Sequence, residues 1–405
     1  MKRISLFTLL IVLLAGLLIA PVAAQDEEGL TVWVDETRAP LMEELGAAFE
    51  EEFGIPLTVV QLGFGNIRDE CLTACPAGEG PDLFIGAHDW LGQLVTNGLV
   101  AEVDLPDDLR EQFVPVALEA FTYEGVLYGL PYATENVAFF RNTDLVPEAP
   151  ETWDDVRADT EQIIESGDAQ YGYILQRGDP YHFFGLQSAF GGYVFGLTDT
   201  GYNAEDVGID SEGSIAALEW ANSMIEDGLM PGNLTGDDAI ALFESGDAAM
   251  FITGPWFLDR IRDSGVPFAI SAIPAGPEGE PGRPFLGVQG FMINAFSENL
   301  DLTQAFLTEY IATEDTMQAL FEAGGRPSAF LPVLEATDDE DLAAFGEAGA
   351  VGLPMPAIPA MSSVWTAWGD AVTLVFNEES EPEEAFTTAA QQIRDAIAES
   401  ESASG

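Results

Sequence analysis

The sequence predicts an α/β protein of two domains, the first opening on a parallel sheet. The chain begins with strand, helix and strand in alternation, the order that produces parallel strands joined by crossover helices. At 405 residues it is longer than one hydrophobic core usually serves. Its apolar fraction of 47% is that of a globular chain and not of acidic disorder, despite 70 acidic side chains.

Lys2 and Arg3 precede an apolar run from Ile4 to Ile19 and a small-residue end at Val22-Ala23-Ala24, the layout of a secretory signal peptide over residues 1–24. Gln25 follows the expected cleavage point, where a lipoprotein would carry cysteine. No other stretch is apolar for long enough to span a bilayer, so an exported protein, periplasmic or extracellular, is expected. Two of the 13 basic residues leave with the leader and none of the 70 acids, which moves the formal charge from −57 to −59. Such a field repels nucleic acid and anionic membrane. The acids are spread along the chain, as in Glu50-Glu51-Glu52 and Asp338-Asp339-Glu340-Asp341, which suits a solvated surface in high salt or at acidic pH better than one cation site.

Leu30 to Val34 is the first strand, and the polar turn Asp35-Glu36-Thr37-Arg38 follows at its carboxyl end. Pro40 opens a helix whose apolar face is Leu41, Leu45, Ala48 and Phe49, ending at Gly54. Ile55 to Gln61 is the second strand. Gly80-Pro81 stops the preceding element, Leu83-Phe84-Ile85 has the run of a strand buried on both faces, and a helix with Leu91, Leu94 and Val95 ends near Gly98. Gly86 to Trp90 therefore lies where open α/β sheets bind ligands, although Asp89 also reads as an ordinary helix N-cap. Cys71 and Cys75 are the only cysteines. They can bridge over a short loop, and with only His88 and His182 as imidazoles no metal site or cofactor is expected.

Tyr128 to Asn142 reads as one extended segment, too long for a strand of a single sheet, and predicts a crossing between domains. A second αβ series begins near Trp153, with strands at Tyr171–Gln176, Ala248–Ile252 and Gly287–Ile293. A helix is expected from Trp365 to about Asn377, and a frayed tail over residues 399–405.

Trp90, Tyr181, Trp256, Trp365 and Trp368 all fall in loops or at helix starts, interleaved with Asp35, Asp89, Glu135 and Asp179. Flat aromatic faces stack on the apolar faces of sugars while carboxylates accept bonds from vicinal hydroxyls. From about Leu30 to Ile397 the chain resembles extracellular solute-binding proteins of ABC importers, and among them the maltose/maltodextrin-binding family. The matches are Gly80-Pro-Asp through Ala87-His88-Asp89, Tyr132-Ala-Thr-Glu135, Gly254-Pro-Trp256, and Ile358-Pro-x-Met361 with Trp365. The resemblance implies a two-lobe periplasmic-binding-protein-like fold of type II, with the ligand cleft between lobes joined by crossover hinge segments. It places lobe one at 28–133 plus 287–336, lobe two at 138–283 plus 340–400, and hinges at 134–137 and 284–286.

By that resemblance Asp89 and Glu135 hydrogen-bond glucosyl hydroxyls, as does Asp179 where the family often has glutamate. Tyr181, Trp256 and Trp365 stack on the rings, and Asp35, Glu36 and Arg38 lie in the loop that meets the reducing-end sugar. The chain departs from the family at Trp90, where an arginine is known, and at Gly86, which replaces a stacking tryptophan. Asn66 and Gly369 replace basic residues, so a stacking surface rebuilt from Trp90 and Trp368 is expected. The resemblance implies a monomer that takes a malto-oligosaccharide to membrane permease subunits, and the departures leave another oligosaccharide, such as a cyclodextrin, as the alternative ligand. Two other classes fit the residues, a secreted glycoside hydrolase using two of these carboxylates and a receptor for a cation such as a polyamine.

Overall fold

The computed structural model describes residues 29–199 and 201–404, so the signal peptide lies outside the described residues. The first elements are β1 (Leu30–Val34), α1 (Ala39–Phe53), β2 (Leu57–Gln61), α2 (Phe64–Ala77), β3 (Leu83–Ala87), α3 (Leu91–Thr96) and β4 (Leu130–Glu135). Next come β5 (Ala138–Asn142), α4 (Trp153–Ser166), β6 (Tyr171–Ile174), α5 (Pro180–Ala189), α6 (Glu212–Glu226) and β7 (Ala248–Thr253). The site is completed by β8 (Phe268–Ser271), β9 (Phe285–Ile293), β10 (Leu353–Pro354), α7 (Trp365–Phe376) and α8 (Pro382–Ser404).

In the first sheet β1 pairs in parallel with both β2 and β3. α1 covers it with Met42, Leu45 and Phe49, starts with proline in its first turn and ends at Gly54, whose φ of 71° needs no Cβ penalty. β9 then pairs antiparallel with β3 on one side and β4 on the other, and its first two residues pair with β10. The sheet is therefore mixed and not purely parallel. Parallel neighbours need a crossover helix between them, whereas β9, the strand by which the chain re-enters this sheet, inserts between β3 and β4 and runs opposite to both.

The extended segment expected from Tyr128 to Asn142 divides at Asn136-Val137: β4 belongs to the first sheet and β5 to the second. The second sheet has the order β8-β5-β7-β6. α4 starts with a capping box in which the Asp155 amide donates to Thr152 Oγ1 and the Thr152 amide donates to Asp155 Oδ2. Trp153 on its first turn is buried against Tyr173 and Trp220, with ring centroids 5.3 and 5.0 Å away. The helix lies so close to β6 that a Cβ on Gly172 would come within 2.3 Å of the Thr160 Cα. α5, α6, α7 and α8 pack on one another beyond this sheet.

Cys71 and Cys75 are bridged, one turn apart on the buried side of α2. The expected frayed tail is instead helical to Ser404. Pro382 opens α8, and no glycine or proline interrupts the chain between there and Gly405. Gly172→Ala is expected to push α4 away from β6 and lower the unfolding free energy by about 1–3 kcal/mol, measured by urea denaturation followed by circular dichroism.

Candidate functional site

A cavity of about 860 Å³ opens between the ends of the two sheets. Each strand that points at it hands over to a loop, and the loops carry the polar and aromatic side chains. Asp35 follows β1, Asp89 and Trp90 form the single 3-10 turn after β3, and Glu135 is the last residue of β4. From the second sheet come Asp179 and Tyr181 after β6 and Trp256 after β7, while Trp365 begins α7. Glu36 and Arg38 complete the lining among the residues predicted from the sequence.

Four carboxylates face four different environments. Asp35 accepts from the Thr37 amide at 2.8 Å and the Thr37 hydroxyl at 2.7 Å, and it is paired with Arg38. Arg38 also donates through Nε to the Tyr132 hydroxyl and lies over the Phe64 ring, 5.5 Å from its centroid. Glu135 is buried with one oxygen on Arg326 Nε at 2.7 Å and the other on Gln289 Nε2 at 2.7 Å. Asp179 caps α5 by accepting from the His182 amide at 3.2 Å, with the His182 ring 2.9 Å away and the Gln176 amide donating to it. Burial works to raise the Asp179 carboxyl, and His182 and Gln176 together hold it below its usual value.

Asp89 differs from the other three. It caps no helix, because its Oδ2 accepts from Trp365 Nε1 at 2.9 Å, across the cavity's rim from α7. Its Oδ1 has no protein partner although the residue is buried. Burial pushes this carboxyl from 3.8 up to about 6, against the pull of the Trp365 hydrogen bond and the Arg68 charge.

The aromatic residues form a bent wall. Tyr181 stacks at 6.3 Å on Phe285 and tilts toward Trp256 at 6.2 Å, and all three flat side chains predicted to stack on sugar are half-buried here. Arg326 lies over Trp256 at 5.7 Å. A Cβ on Gly254 would come within 2.1 Å of the Trp256 ring, so the glycine is what lets the indole fold back over the strand end. The same relation holds between Gly86 and Trp90, again at 2.1 Å. The space left by the missing side chain at 86 is filled by the Trp90 indole, which is itself buried against Phe64. Trp368 is the one predicted site residue that does not line the cavity. It is fully buried one turn behind Trp365, stacked on it at 6.1 Å, and contributes support in place of a ligand-facing surface.

Residues that sequence reasoning missed include Phe64, Gln176, His182, Gln289 and Arg326, all of which line the cavity. Gln289 left one trace, a polar residue inside the apolar strand run Gly287 to Ile293. Arg326, in a Gly-Gly-Arg-Pro loop, left none.

The cleft between two α/β lobes, lined by loops from both, is the arrangement of a solute receptor, and comparison with known families agrees. Residues 44–350 match the model of the bacterial extracellular solute-binding proteins, and the chain belongs to that family. It is 28% identical to a galactooligosaccharide-binding protein of Bacillus subtilis over 381 residues, covering 91% of this chain and 89% of the relative. A maltodextrin-binding protein of the same organism is also 28% identical, with the same coverage. A maltotriose-binding protein of Pyrococcus abyssi is 32% identical over 315 residues, 74% of this chain and 66% of the relative. The protein is an exported component of the cell envelope, and among the described residues no helix is long and apolar enough to cross a membrane.

The raised Asp89 carboxyl links stability to pH. Below about pH 4 it is protonated in folded and unfolded chains alike, and its favourable contribution is lost as pH rises through the folded value near 6. Asp89→Asn removes that loss. In urea denaturation the variant is expected to gain about 1–3 kcal/mol on the wild type between pH 4 and pH 8.

Proposed function

We propose that the protein captures a neutral oligosaccharide of the malto-oligosaccharide type in this cavity, closes its lobes over it, and presents it to the membrane permease of an ABC importer. The observation that carries the reading is the alternation of flat aromatic faces with acceptor side chains around one cleft, Tyr181, Trp256 and Trp365 set among Asp35, Asp89, Glu135 and Asp179. Rings stack on the aromatics while their hydroxyls bond the acceptors. Relatives named for maltodextrin, maltotriose and galactooligosaccharide support a short oligosaccharide as the solute.

Charge compensation inside the cavity favours a neutral ligand over a cation. Asp35 is paired with Arg38 and Glu135 with Arg326, so two of the cavity's buried carboxylates are already neutralised by the protein's own cations. The same pairs support a receptor without catalysis, because Glu135 and Asp179 already hold donors on their carboxylates and Asp35 holds Arg38, which leaves Asp89 as the one of the four with an oxygen free. A glycosidase works with a pair of carboxyl groups flanking the scissile bond.

In this reading lobe one comprises 28–133 and 287–336, lobe two 138–283 and 340–400, and the chain bends at 134–137 and 284–286. Glu135 pairs with Gly287 in adjacent strands, which sets the two bends side by side, as a hinge requires. The receptor works as a monomer.

Calorimetric titration with maltose, maltotriose, a cyclodextrin and a galacto-oligosaccharide, at low and high salt, tests the reading. Saturable binding that salt leaves unchanged is expected for at least one of them, whereas a polyamine site would weaken steeply with salt. Trp256→Ala is expected to weaken that binding by about 1–3 kcal/mol while the fold, followed by circular dichroism, is kept.

A further inference from the structure

Burying a polar atom without a partner forfeits its hydration with nothing in return, so such atoms are few and their positions carry information. Among the described residues eleven buried side-chain atoms lack a protein partner, and four of them belong to residues lining the one cavity of about 860 Å³: Asp89 Oδ1, Tyr181 Oη, His182 Nε2 and Gln289 Oε1. Gln289 is the informative member, because its environment fixes which end of the amide is left over. Glu135 beside it is held by Arg326 Nε on one oxygen and can only accept on the other. The Gln289 nitrogen must therefore face Glu135, at 2.7 Å, which leaves the carbonyl oxygen as the free end.

The sheet prepares this position. Gln289 lies in β9, opposite Ala87 of β3 on one side and Ala133 of β4 on the other. Directly opposed side chains share a face of the sheet, so two methyl groups flank the amide and leave room beside it. The pairing with β4 slips between Gln289 and Gly290, and irregularities of this kind re-aim side chains next to binding sites.

We infer that Gln289 is a specificity-determining residue of the binding site, whose carbonyl oxygen accepts a hydrogen bond from one hydroxyl of the bound oligosaccharide, with Arg326 and Glu135 acting as positioning residues that hold the amide in that sense. The inference rests on the oligosaccharide reading and adds to it the polarity of one contact. That contact requires a donor, so a sugar presenting a carboxylate there is rejected.

The test pairs a protein change with a ligand change. Gln289→Met keeps the length of the side chain and removes the amide. The wild type and Q289M are titrated with the tightest binder among maltose, maltotriose and a galacto-oligosaccharide, and with its singly deoxygenated analogues. In the wild type one analogue is expected to bind about tenfold or more weakly than the parent. In Q289M the parent itself is expected to be weakened by a similar factor, and that analogue to show no further loss. Two results overturn the inference: parent affinity unchanged in Q289M, or weakened affinity with every analogue penalty the same as in the wild type, which is the mark of a structural role only. Should Q289M not fold, Gln289→Asn, which withdraws the amide by one methylene, is read in the same way. A wild type that binds none of the sugars sinks the oligosaccharide reading and this inference with it, a result separate from both of the others.

Discussion

Glu135 is buried at the point where the chain passes from one sheet to the other, and its charge has to be neutralised there. A buried carboxylate is tolerable only with a counter-charge and with its lone pairs occupied. Arg326 supplies the charge and one hydrogen bond, and Gln289 supplies the other. Arg326 comes from the loop beside Pro327 and Ser328, which bond to the backbone of β4, and its guanidinium rests on Trp256 from the second sheet. One ion pair thus ties together a strand end, a loop that returns to the first sheet, and an aromatic wall. Removing either partner would leave a charge stranded in the interior, and the cavity would lose its shape along with its electrostatic balance.

The topology explains why the site falls at this point. β1, β2 and β3 run parallel and deliver Asp35, Asp89 and Trp90 at their carboxyl ends, as such sheets deliver ligand-binding loops generally. β4 and β9 cross between the sheets, so whatever side chains they carry near the crossing are also at the cleft. Glu135 and Gln289 are those side chains. His88 sits just behind them, taking a hydrogen bond from the Val288 amide on Nδ1 and reaching the Met355 carbonyl through Nε2. Burial pushes its ring down to about 4, so it works as a neutral clamp.

Much of this was legible in the residue pattern, and the remainder failed for identifiable reasons. Periodicity and turn chemistry are local, so the opening strand-helix-strand order, the stop at Gly54 and the turns at Asp89 and Trp256 could be read directly. Depth is not local. Trp365 and Trp368 are three residues apart on α7 and share a face of the helix, yet one borders the cavity and the other is wholly enclosed behind it. Trp90 was expected to offer a new stacking face, but the gap at Gly86 draws the indole inward. Glu135 was recognisable as an acid near a crossing, while its partner Arg326 lies 191 residues away and announces itself by no motif. The sheet was expected to be parallel because strand direction was inferred from intervening helices, and β9 arrives without one.

Three of the chain's seven tryptophans border the cavity, and a fourth, Trp368, is stacked directly on one of them. Indole emission depends on the solvent around the ring and on hydrogen bonds at its nitrogen, and Trp365 has its nitrogen committed to Asp89. A ligand filling the cleft, as the proposed function requires, would displace solvent from these rings. The protein would then carry its own optical reporter: occupancy could be followed in the ultraviolet on the unmodified chain, without a dye, a label or a competing probe.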